Sequence, residues 1–164
     1  MHHISTDPEK GTHWVARVCI AAGTCLYRAT QVTHHDKPSY QTIQTGRDSH
    51  IWEQNLVFLN HSCDPTAFFD AETLSLHAIR DIPAGEEITF FYPSTEWEMD
   101  RPFVCTCCSG NCVGTIRGAK YLTGEMLKPY LLNRHIIQSI REHSDSDGTT
   151  LPLACSSPPR ACAS

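Results

Sequence analysis

The chain has no run of apolar residues near the about 20 needed to cross a bilayer, so no membrane partner is expected. It opens Met1-His2-His3-Ile4-Ser5-Thr6-Asp7, which lacks the basic region and apolar segment of a secretory signal. These absences give an intracellular protein, in the nucleus or the cytoplasm, as the expectation. Basic residues are also few: 13 Lys and Arg against 18 Asp and Glu leave a formal charge of −5. Nucleic-acid affinity rests on clustered cations that release counterions from phosphate, so direct nucleic-acid binding is not expected. No internal repeat is visible, and 164 residues are within the range of one domain.

What the chain does have is cysteine. A reducing compartment works against structural disulfides, so nine cysteines ask for another explanation, and four of them crowd between Cys105 and Cys112. Cys105, Cys107 and Cys112 place three thiols within eight positions, one short of a tetrahedral zinc shell. A Cys-x-Cys pair presses two anions together, which is costly unless a dication neutralises them. The fourth ligand must come from elsewhere, and Cys63, in Asn60-His61-Ser62-Cys63-Asp64-Pro65, is the candidate. Cys105-x-x-Cys108 is also a common ligand spacing, so the residues alone leave Cys107 and Cys108 open. The competing explanation is core filling, because free cysteine behaves as a small hydrophobe. The neighbouring Gly110-Asn111 argues against a core strand there.

Elsewhere the pattern is that of short strands and turns. His13 to Val18 alternates in hydrophobicity and leads through Ala21-Ala22-Gly23-Thr24 to a second strand at Cys25-Leu26-Tyr27. The polar stretch from Gln31 to His50 predicts loop, with one short strand around Tyr40 to Ile43. Ala67-Phe68-Phe69 and Leu74 to Ala78 predict a hairpin, and Asp81-Ile82-Pro83-Ala84-Gly85 is turn chemistry before a strand from Glu87 to Tyr92. From Gly124 to His143 apolar residues recur at helical spacing, with Pro129 splitting two short helices and Asn133 capping the second. The expected fold class is therefore mainly β.

Three segments stand in a telling order: Leu59-Asn60-His61-Ser62-Cys63-Asp64-Pro65, then Ala84-Gly85-Glu86-Glu87-Ile88-Thr89-Phe90-Phe91-Tyr92, then Cys105-x-Cys107-x4-Cys112-x-Gly114. Together they resemble SET-domain lysine methyltransferases with a cysteine-rich post-SET zinc segment, in a short form of fungal type. The resemblance implies a β-rich α+β fold of short curved sheets with a pseudoknot. It divides the chain into a SET domain with a shortened insert over 8–100, a post-SET zinc segment over 101–118, a helical segment over 119–143 and a disordered tail over 144–164.

The resemblance also implies roles. Asn60 and His61 would contact S-adenosylmethionine, and Tyr92 would be the catalytic tyrosine that orients the attacking amine. Cys63, Cys105, Cys107 and Cys112 would hold a structural zinc ion, and Phe90 and Phe91 would line the amine channel. Gly11, His13 and Trp14 stand where the family's opening Gly-x-Gly lies against the cofactor. His13 replaces the second glycine, where a side chain would narrow the pocket. The implied substrate is a protein lysine, as on a histone tail, with a partner protein completing the groove that the short insert leaves open. The second function class is a SET-like protein without lysine methylation, either a zinc-stapled binding module or a small-molecule biosynthetic enzyme.

Overall fold

A computed structural model describes residues 2–7 and 11–147. Twelve strands are assigned there: β1 (His2–Asp7), β2 (Gly11–Ala16), β3 (Cys25–Arg28), β4 (Thr33–His35), β5 (Ile43–Gly46), β6 (Ser49–Trp52), β7 (Asn60–His61), β8 (Ala67–Asp70), β9 (Ser75–Ala78), β10 (Glu87–Phe90), β11 (Phe103–Val104) and β12 (Thr115–Ile116). Two helices follow, α1 (Gly124–Leu127) and α2 (Arg134–Asp147), and single 3-10 turns occupy Leu56–Phe58, Tyr92–Ser94 and Ala119–Tyr121. The mainly β expectation holds, with short helices at the C-terminal side. No helix among the described residues is long and apolar enough to cross a membrane.

The main sheet runs β1-β2-β10-β8-β9-β3, with β7 joined to β10. All four residues of β8 and all four of β9 are buried, as befits strands covered on both faces. Their turn is held by Asp70, which accepts from the Glu72 N–H at 2.9 Å and the Thr73 hydroxyl at 2.6 Å. The second turn, after Asp81, closes where Gly85 adopts φ 88°, a conformation that costs glycine little. Both turns lie where the residues predicted them.

Two differences from expectation sit at the N-terminal side. His2–Asp7 adds an edge strand, antiparallel to β2. The stretch expected to be mostly loop instead folds as a second sheet in the order β4-β6-β5. Its inward residues are Ile43, Gln44, His50 and Ile51, an apolar and polar mixture that gives no period-2 signal.

The described residues bury two apolar clusters. One gathers Trp14, Leu26, Ile51, Leu59, Phe69, Leu76, Ile88 and Phe90 under the main sheet. The other gathers Cys63, Phe91, Ile116, Leu127 and Ile136 beneath the cysteine segment and the helices. Tyr92 packs against both. The C-terminal segment reaches this seam through Gly118, whose φ is 113° and where a Cβ would collide with the Trp97 carbonyl.

Pro129 does separate the two helices, but Asn133 does not cap the second with its side chain. Asn133 is 4% exposed and turned into the sheet, where its Oδ1 accepts from the Ala71 N–H at 2.8 Å. Its Nδ2 donates to the Phe69 and Ser94 carbonyls, both at 2.9 Å. The helix it precedes continues to Asp147, four residues into the segment expected to be a disordered tail; 148–164 lie outside the described residues. Asn133→Ala takes the side-chain partner from the Ala71 N–H and the Phe69 carbonyl, each worth about 1–3 kcal/mol when left unpaired, while the Ser94 carbonyl keeps the residue-133 backbone N–H at 3.1 Å. The expected loss of stability is about 3–5 kcal/mol, read as a shifted midpoint in urea unfolding.

Candidate active site

The site is built on β10. Its residues Thr89 and Phe90 pair in parallel with Asn60 and His61 of β7, and Phe90 also pairs with Ala67 of β8. The ladder continues on either side, with the Ser62 N–H donating to the Phe90 carbonyl and the Thr66 N–H to the Thr89 carbonyl, both at 3.2 Å. This parallel contact between the Asn-His segment and the later tyrosine-bearing strand is the one that the expected pseudoknot requires.

Tyr92 follows directly, at the start of a 3-10 turn, and is held at both ends by the same segment. Its hydroxyl donates to the Leu59 carbonyl at 2.9 Å, and its backbone N–H donates to His61 Nδ1 at 3.1 Å. Burial pushes the phenol up from its ordinary value, and the carboxylates of Glu96 and Glu87 add to the shift. Tyr92 is therefore an uncharged hydroxyl at neutral pH.

His61 passes the constraint on. Burial lowers its pKa to about 4, so the ring is neutral and carries one proton. Because Nδ1 accepts from Tyr92, that proton sits on Nε2, which faces Cys63 Sγ at 3.3 Å. The sulfur must accept, and a thiolate does so better than a thiol.

Around Cys63 the four expected sulfurs meet. Those of Cys63, Cys105, Cys107 and Cys112 all lie within 4.8 Å of one another. Cys63 Sγ is 3.9 Å from Cys105 Sγ and 4.0 Å from Cys112 Sγ. A tetrahedron with metal–sulfur bonds of about 2.3 Å has edges of about 3.8 Å, so the spacing fits a closed four-thiolate shell. Cys108 stands apart: it is exposed, with φ 55°, and its thiol is directed to the Thr106 carbonyl at 3.4 Å. Of the two cysteines that the residues left open, Cys107 is the one whose sulfur joins the cluster. Burial raises the Cys63 thiol and pushes Cys105 up to about 11. Burial opposes ionisation of Cys107 too, but hydrogen bonds with Ser109, Cys63 and Cys105 together outweigh it and bring the thiol to about 6.

Two clefts meet at Tyr92. The larger, about 710 Å3, is lined by Asn60, His61, Thr89, Glu87, Phe103 and Tyr92 among others. The smaller, about 50 Å3, is lined by Tyr40, Leu59, Phe90, Tyr92, Glu96 and Arg101 among others. Phe90 faces the small cleft, as the channel reading implies, whereas Phe91 turns away into the second apolar cluster and stacks on Tyr130 at 3.7 Å between ring centroids.

Gly11, His13 and Trp14 line neither cleft. Trp14 is fully buried, with Nε1 donating to the Asn55 carbonyl at 3.0 Å, which makes its ring a core group. His13 is 8% exposed, and its Nδ1 lies 2.9 Å from the Gly11 carbonyl on its own strand.

The SET domain profile matches residues 11–93. The chain belongs to the SET-domain family. Methyltransferase flvH of Aspergillus flavus is 41% identical over 122 residues, which cover 73% of this chain and 68% of that protein. Histone-lysine N-methyltransferase Suv4-20 of Caenorhabditis elegans is 32% identical over 102 residues, covering 60% of this chain and 34% of its own length. The fold also resembles that of KRYPTONITE crystallised with mCHG DNA and SAH, at TM-score 0.56 and 18% identity, over 70% of this chain and 28% of that one. The curated relatives named here are methyltransferases, and the chain spans about a third of Suv4-20 but two thirds of flvH.

Residue patterns missed three side chains of this SET site. Phe103 lies edge-on to His61 and Tyr92, with centroids at 5.8 and 6.0 Å. Tyr130 donates its hydroxyl to the Cys63 carbonyl at 2.8 Å. Glu96 is a buried carboxyl in the small cleft. Phe103 sits two residues before the first clustered cysteine, the nearest thing to a signal for any of them.

Proposed function

We propose that the chain is an S-adenosylmethionine-dependent N-methyltransferase that acts on a lysine amine of a protein, such as a histone tail, inside the cell. The observation that carries this reading is the position of Tyr92, which lines both the large cleft and the small one. A methyl donor in one and an amine in the other would meet at its hydroxyl.

The large cleft fits such a cofactor in size and charge. Its volume lies within the range of small-molecule sites, and its wall carries Asp64, Glu86 and Glu87 against Arg80, which pairs with Glu86; the remaining two carboxylates favour a cationic sulfonium over an anion. Phe103, 38% exposed, offers an apolar face for a heterocycle. Bound there, the cofactor would supply an activated methyl group on sulfur. Asn60, whose Nδ2 donates to Glu87 at 3.0 Å, and His61 would hold it. Tyr92 would orient the amine, and Leu56, Val57, Leu59 and Phe90 on the apolar side of the small cleft would withhold water from it.

Zinc fits the four sulfurs, and its role would be structural. It would tie the 105–112 segment to Cys63 and so hold Phe103 over the cleft, with no open coordination position for chemistry. Purified protein is expected to contain one zinc per chain. Cys63→Ser and Cys107→Ser should lower that content and the stability together, while Cys108→Ser should leave both unchanged; atomic absorption and thermal unfolding check this.

The second reading, methylation of a small-molecule amine, is favoured by the size of the small cleft, about 50 Å3. Transfer of labelled methyl from S-adenosylmethionine to a lysine peptide decides between them. The proposal expects turnover that falls about 100-fold in Tyr92→Phe with cofactor affinity little changed. Transfer to a free alkylamine but to no peptide would support the second reading instead.

A further inference from the structure

Glu96 is a buried carboxyl in the wall of the small cleft. It follows the 3-10 turn that begins at Tyr92, its backbone N–H donates to the Tyr92 carbonyl at 2.9 Å, and it is 7% exposed. Oε1 accepts from the Gln44 N–H at 2.9 Å and the Thr95 hydroxyl at 3.1 Å. Oε2 has no protein donor among the described residues, although it belongs to a residue lining the cleft.

A buried carboxylate is costly unless a cation faces it. None of the described residues supplies one. Gln44 and Thr95 are neutral, and the Gln44 amide is spent on the Gly46 and Arg47 carbonyls and the Trp97 N–H. His135, from α2, reaches only the Thr95 carbonyl, at 2.8 Å, and burial lowers its pKa. Arg101 lines the same cleft, but its guanidinium lies over the Tyr40 ring at 4.2 Å and 4.0 Å from Asp100, with its side chain 70% exposed. Tyr92 is a neutral phenol, and Asp100 adds only negative charge.

We propose that Glu96 receives the ammonium of the substrate in this cleft and takes from it the proton that must leave before nitrogen can attack. The inference rests on the methyltransferase reading and names what that reading leaves unassigned, the recognition of the amine and the destination of its proton. An alkylammonium and the Glu96 carboxylate become a neutral amine and a carboxylic acid. The amine lone pair then forms the N–CH3 bond as the C–S bond of the sulfonium breaks, and its electron pair stays on the thioether product. The product leaves as the N-methylated alkylammonium, and Glu96 returns its proton to water. Burial already raises the Glu96 pKa to about 7, so proton uptake and release both fall near neutral pH.

The test reads binding, so it does not depend on turnover. Full-length, zinc-loaded protein carrying 13C-carboxyl glutamate is titrated with pH by NMR, with and without n-butylammonium, and with and without S-adenosylhomocysteine; Glu96→Gln assigns the signal. The Glu96 midpoint is expected to fall by about 1 unit or more on saturation with n-butylammonium. Affinity for that cation should drop about 10-fold or more in Glu96→Gln. A midpoint that does not move, native protein that binds no n-butylammonium, or a Glu96→Gln variant that binds it equally well overturns the assignment. Should Glu96→Gln fail to fold, the native titration still decides, with Glu96→Asp supplying the assignment. Absence of S-adenosylhomocysteine binding alone would reject the methyltransferase reading and leave the amine result standing.

Discussion

Asn60 and His61 run parallel to Thr89 and Phe90, and the position of every group in the site follows from that short ladder. Parallel strands cannot be joined by a tight turn, so the chain must leave, fold the β8–β9 hairpin and return before β10 can form. A slip of one residue would exchange the faces of the ladder and turn the His61 ring away from Tyr92 and Cys63. Burial on both sides of β10 makes such a slip costly: Ile88 is fully buried and Phe90 nearly so. The register is thus specified by packing, and the chemistry inherits it.

From that register a chain of hydrogen bonds runs through one neutral imidazole. His61 accepts from the tyrosine backbone with one nitrogen and presents its only proton to the Cys63 sulfur with the other. The cysteine cluster and the tyrosine are therefore parts of one polar network inside a largely apolar seam, where each group needs its partner. Charge is arranged around this seam in a simple way. Asp64, Glu86 and Glu87 line the large cleft with Arg80 paired to Glu86, a buried carboxyl belongs to the wall of the small one, and the uncharged Tyr92 lines both.

Much of this was legible in the residues, and the reasons differ by element. The hairpin at 67–78 and the turn at 81–85 announce themselves through local chemistry, and local chemistry decides short-range structure. The union of Cys63 with the distant trio was legible because three thiols lack a fourth, but the sequence could not separate Cys107 from Cys108; backbone conformation does, by giving Cys108 a positive φ and an exposed thiol. The sheet of β4, β5 and β6 was hidden because three- and four-residue strands rich in His, Gln and Thr carry no alternation to read. Asn133 looked like a cap by its place before a helix, yet three backbone groups from β8, its turn and the Tyr92 turn compete for the same amide and win.

Calorimetric titration of zinc-loaded protein with S-adenosylmethionine tests the central claim most directly. One molecule is expected to bind per chain, with affinity reduced about 10-fold when Asn60 is changed to Ala, the loss of a single charge-assisted contact. Folded, zinc-loaded protein that gives no binding heat at any temperature, and shows no protection by the cofactor against unfolding, would contradict it.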